Sequence, residues 1–106
     1  MARQIAVDIA RALEGGRCKS IKNTMTDGRA VYLHGHKIIE RRPDGSVWVT
    51  LAGWNTVTTR SRIKDVLGQI LPGAVGISCR DFEPYLYGSK VAPNGPIDSS
   101  TWYQVA

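Results

Sequence analysis

Three turn signals crowd into one short stretch of the chain: Asp27-Gly28, His34-Gly35 and Pro43-Asp44-Gly45. Each separates runs rich in β-branched or aromatic residues, at 18–25, 29–34, 36–42 and 46–52. Asp-Gly between such runs marks a hairpin, because both turn positions tolerate positive φ. The spacing therefore predicts an antiparallel meander of three to four strands. Period-two alternation then separates the faces. Val47, Val49 and Leu51 point one way and Ser46, Trp48 and Thr50 the other, while Val31 and Leu33 oppose Ala30, Tyr32 and His34. The aliphatic side is the expected core. In the third run Lys37 and Arg41 alternate with His36 and Glu40 around two adjacent isoleucines, which leaves its orientation open.

Helical periods flank the meander. Ile5, Ile9, Ala12 and Leu13 recur on one side of residues 4–14, with Asp8, Arg11 and Glu14 on the other, and Gly15-Gly16 supplies a left-handed stop. Ile63, Val66, Leu67, Ile70 and Leu71 set a second amphipathic helix, with Thr58 or Thr59 as N-cap and its end at Gly68 or at Pro72-Gly73. A strand at 75–79 and another around 85–87 complete an expected short C-terminal hairpin. From Gly88 the chain turns to Ser, Pro, Gly and Asn. The expected fold class is α+β: one compact domain over 1–87, then an extended tail over 88–106 whose Trp102 and Tyr103 dock on the body or on a partner subunit.

Composition narrows the function classes. With 42% hydrophobic and 22% charged residues the chain matches an ordinary globule. Its net charge of +5 is uneven: residues 1–42 hold nine cations and four acids, 43–64 three and one, and 65–106 two and four. An anionic partner, DNA or RNA, is therefore expected on the side carrying the meander and the start of the second helix. No apolar run approaches the roughly 20 residues that cross a bilayer, no signal-peptide pattern opens the chain, and the two cysteines, Cys18 and Cys79, are too few for a disulfide scaffold. These features predict a cytoplasmic protein with no membrane partner. His34 and His36 lack the further donors of a zinc site. The acids show no spacing that enforces a carboxylate pair, and no nucleophile elbow, phosphate loop or dinucleotide fingerprint occurs. No enzyme activity, cofactor or metal is expected.

Two constellations carry binding chemistry. In the first, Asn55, Thr56, Thr58 and Thr59 open a helix, and Arg60, Arg62 and Lys64 follow; free amides, hydroxyls and cations together suit an anion. The bland alternative is that the threonines cap the helix, Trp54 packs in the core and the cations are solvated. The second is the outer sheet face, where Tyr32 and Trp48 would stack on bases while Lys37, Arg41 and Arg42 track a backbone, unless a helix or the tail covers Trp48.

The run Leu33-His34-Gly35, Ile38, Asp44-Gly45, Val49-Thr50 and Ala52 through Ile63, with its Gly-Trp-x-Thr-x-Thr-Thr-x-x-Arg segment at 53–62, resembles a family of small bacteriophage and prophage proteins. The resemblance implies a phage context and no mechanism. Two functions are then expected as alternatives: non-specific nucleic-acid binding through Lys37, Arg41, Arg42, Trp48, Tyr32, Arg60, Arg62 and Lys64, or modulation of host machinery or a host defence system through a protein contact anchored by Trp102 and Tyr103. The tail is also a candidate for exchange in a homo-oligomer.

Overall fold

The computed structural model describes residues 2–71, 75–89, 91 and 94–106. Pro72-Gly73, the expected helix stop, and Pro93 lie outside them. Helix α1 (Ala2–Glu14) turns Ala6, Ile9, Ala10 and Leu13 inward, and all are buried. It ends as the two glycines predict. Gly16 takes φ 65, its amide bonds the Leu13 carbonyl, and the Arg17 amide reaches back to the Ala12 carbonyl. That is a Schellman cap.

The meander has five strands: β1 (Lys19–Ile21), β2 (Thr24–Thr26), β3 (Ala30–Leu33), β4 (His36–Arg41) and β5 (Val47–Val49), each antiparallel to the next. The run 18–25, expected as one strand, is therefore two. Lys22 adopts φ 53 and folds the chain back at Lys22-Asn23, where no glycine announces a turn. The other hairpins fall at the expected turns, with His34 and Gly35 both at positive φ.

Strand β4 settles its orientation through a bulge. Val31 pairs with Ile39 while Tyr32 pairs with Lys37, so Ile38 is an extra residue. Both isoleucines become buried, and the alternation changes phase between Lys37 and Glu40. Lys37 and Glu40 consequently share the outer face, whereas strict alternation puts them on opposite faces.

Helix α2 (Val57–Ile70) packs beside α1 on the same side of the sheet, and it runs past Gly68. Its N-cap is Thr56, not Thr58 or Thr59: the Thr56 hydroxyl accepts from the Thr59 amide at 3.2 Å. Strands β6 (Gly76–Arg80), β7 (Glu83–Tyr87) and β8 (Gly95–Pro96) form a second sheet against α2, so the expected hairpin gains a third strand. A second part of the tail joins the main sheet. Strand β9 (Tyr103–Gln104) pairs with β5 and becomes the sixth strand of the main sheet. The aliphatic core lies between that sheet and the two helices, with Ile77 and Leu86 of the second sheet joining it.

Candidate nucleic-acid interface

Both helices lie on one face of the six-stranded sheet; the opposite face carries no helix, and of its β5 row Ser46 and Thr50 are buried while Trp48 is half-buried. Alternation places Met25, Tyr32, Trp48 and Gln104 there, opposite Val31, Val47 and Val49. Trp102, on the other side of the backbone from core-packed Tyr103, borders a groove with Lys37, Glu40 and Thr50. Tyr32, Trp48 and Trp102 are each half-buried.

Trp48 is held by a relay. Asp44 Oδ1 accepts from the Ser46 hydroxyl at 2.6 Å, and the Trp48 indole N–H donates to that hydroxyl oxygen at 2.9 Å. The Arg42 guanidinium lies 3.9 Å from the indole centroid, and Lys37 Nζ stands 5.8 Å from the Tyr32 ring. Glu40 sits between them, accepting from Arg42 Nε at 3.0 Å and from Lys37 Nζ at 3.3 Å. Two cations, two rings and one shared carboxylate thus form the centre of the open face. Beyond it, Arg29, Arg41 and Arg42 line a shallow groove of about 380 Å³ with Glu40.

The remaining sequence candidates are dispersed. Arg41 leaves the outer face and bonds Glu14 of α1 at 2.8 Å. Arg62 is buried, because it shares the inward stripe of α2 with Thr59, Ile63 and Val66; burial lowers its pKa, against an opposing pull from Asp65. Arg60 bonds Asn55 Oδ1, and Lys64 is exposed. The threonine-rich turn largely satisfies itself: the Thr56 and Thr59 hydroxyls bond each other at 2.8 Å, and Asn55 Nδ2 donates to the Phe82 carbonyl. Only Thr58 there projects an exposed, uncommitted hydroxyl on this pattern. Trp54 is 55% exposed and does not join the core. The sequence reading missed Glu40 as the shared partner and Phe82 as an exposed ring.

Among the described residues no group of three His, Cys, Asp or Glu is placed to hold a metal, and no helix is long and apolar enough to cross a membrane. The model of one family, the Kyanoviridae Gp96 protein, matches residues 2–104. The chain belongs to that family. Kyanoviridae Gp96 is a phage protein family, which agrees with the phage context that the 33–63 resemblance implies. Searches of curated proteins and of solved structures give no match.

The carboxylates of this surface also set a pH response. Glu40 is held below the ordinary range foremost by its bond from Arg42, then by Lys37. Asp27 is lowered by the backbone amides of Arg29 and Ala30, and Asp44 by the Ser46 hydroxyl and amide. A carboxyl whose folded pKa is depressed stabilises the fold above its unfolded pKa, and that stability is lost as pH falls through the folded value. The thermal midpoint is expected to stay level from neutrality down to about pH 5 and to fall progressively below about pH 4. Asp27→Asn should flatten that fall, as followed by circular dichroism.

Proposed function

We propose that this chain is a non-enzymatic phage protein that binds single-stranded nucleic acid, without sequence preference, on the open face of its main sheet. One observation carries the reading: the Arg42 guanidinium stacked on Trp48 at the centre of a helix-free sheet face that also bears Tyr32 and Trp102. Open sheets with exposed rings receive unpaired bases, and a guanidinium plane stacks on a base as readily as a ring does. A duplex hides those base faces, so single strands are the better substrate. Phosphates would draw Lys37 and Arg42 away from Glu40, and Arg29 extends the cationic track.

Anisotropy of a labelled oligothymidylate, titrated against salt, tests this. Phosphate contact predicts affinity that falls as salt rises, with log affinity against log salt sloping by about −0.7 for each phosphate neutralised. An absence of binding at low salt would end the reading. A matching oligouridylate compares RNA with DNA on the same face.

A second reading, a protein-binding modulator of host machinery or defence, draws on a different surface. Trp54, Val57 and Phe82 are 55%, 70% and 95% exposed, and Asn55 ties the segment before α2 to the turn that carries Phe82. Trp102 and Tyr103 serve it less well as anchors, since both are half-buried in or beside β9.

A further inference from the structure

Phe82 is the chain's one phenylalanine, and its side chain is almost wholly in water. It occupies the second position of the β6–β7 turn, where Asp81 and Phe82 take φ 48 and 66. Such turns favour Gly or Asn at both positions, and a bulky side chain in the left-handed region is an outlier. A ring held at a hairpin tip against both backbone preference and hydration calls for a partner.

A receptor of matching size lies beside it. Leu33, Ile38 and Leu51 floor a pocket of about 140 Å³, with His34, His36 and Trp54 as its walls. A cavity of roughly 150 Å³ with aliphatic walls is the size that accepts a benzene ring. The Trp54 ring leans on His36 at 5.9 Å, and the Thr59 hydroxyl at the margin is already bonded to Thr56. The pocket therefore asks for an apolar guest and offers little to a charged one. The phenyl ring of the same chain, 95% exposed, does not fill it.

Ring and pocket are fixed relative to each other, because Asn55, next to pocket-wall Trp54, donates to the Phe82 carbonyl at 3.2 Å. A protruding group beside a cavity of its own size is self-complementary: a two-fold axis between them satisfies both contacts at once. We propose that two copies of this chain associate with the Phe82 ring of each seated in the Leu33–Ile38–Leu51–Trp54 pocket of the other. Val57, 70% exposed three residues after Trp54, would add apolar area to the contact. The inference rests on the protein-binding character of this surface and uses none of the aromatic residues of the open sheet face, so either proposal can fail alone.

Sedimentation equilibrium of the full chain, from micromolar to sub-millimolar concentration, tests it. The expected result is a reversible dimer. Phe82→Asn, which suits the left-handed backbone, should weaken dimerisation about tenfold or more, with the folded spectrum unchanged. Trp54→Ser should weaken it from the receptor side. Mixing the two variants should restore one of the two contacts and give a heterodimer tighter than either homodimer. A monomer at every concentration overturns the proposal, as does a dimer indifferent to Phe82→Asn. Capture of a phenylalanine-bearing peptide by a wild-type chain that stays monomeric also overturns it, assigning the pocket to a different protein.

Discussion

Replacing Gly28 with alanine should destabilise the protein by about 3 kcal/mol, from the left-handed backbone penalty and a clash that cannot relax locally. Gly28 sits at φ 92 in the β2–β3 turn. A Cβ there would lie 2.6 Å from the Gly16 carbonyl carbon and 2.7 Å from its oxygen. Both are backbone atoms of the α1 cap, so no side chain can swing aside. The helix end and the hairpin would have to separate, loosening the packing of α1 on β2 and β3. Gly45→Ala is the matched control. That glycine has φ 87 with nothing near its absent Cβ, so only the conformational penalty of about 1–2 kcal/mol applies. Urea unfolding measures both, with midpoint shifts at unchanged slope. Equal losses in the two variants would show that the close approach of Gly16 to Gly28 contributes nothing.

The same contact shows which parts of the fold are legible in the sequence. Turns written with glycine or Asp-Gly are readable, because φ preference is local: Gly16, Asp27-Gly28, His34-Gly35 and Pro43-Asp44-Gly45 all fall where expected. Turns that place ordinary side chains in the left-handed region are silent. Lys22 and Phe82 are such cases, and the first conceals the division of β1 from β2. Long-range pairing is silent for another reason. Strand β9 is two residues long, too short for any alternation, and its partner β5 lies more than fifty positions earlier.

The open face was half readable. Tyr32 and Trp48 follow from strict alternation opposite Val31, Leu33, Val47 and Val49. Glu40 does not, because the bulge at Ile38 changes the phase of β4 after Lys37. Arg62 could have been separated from its neighbours, since it stands three residues from Thr59 and four from Val66 on the stripe that α2 buries.

Glu40 is also where the nucleic-acid reading is most exposed to refutation. The carboxylate holds Lys37 and Arg42 in the free protein, so it competes with any phosphate they would contact. Glu40→Gln should therefore tighten single-strand binding at low salt by about tenfold, and steepen the salt slope by about 0.7 for each cation released. The stability loss should be small, about 0–1 kcal/mol, because these ion pairs are partly exposed. Trp48→Ala acts in the opposite direction. Loss of a stacking platform weakens binding by about 1–3 kcal/mol, roughly 5- to 150-fold. Trp48→Phe, which keeps a ring under Arg42, should recover most of it. The two changes thus separate charge from stacking on one face: the first alters the salt slope, while the second shifts affinity at constant slope. Binding that ignores both substitutions would place the contact elsewhere, on the exposed cations of the α1 end and β1, and would remove the open sheet face from any role in recognition.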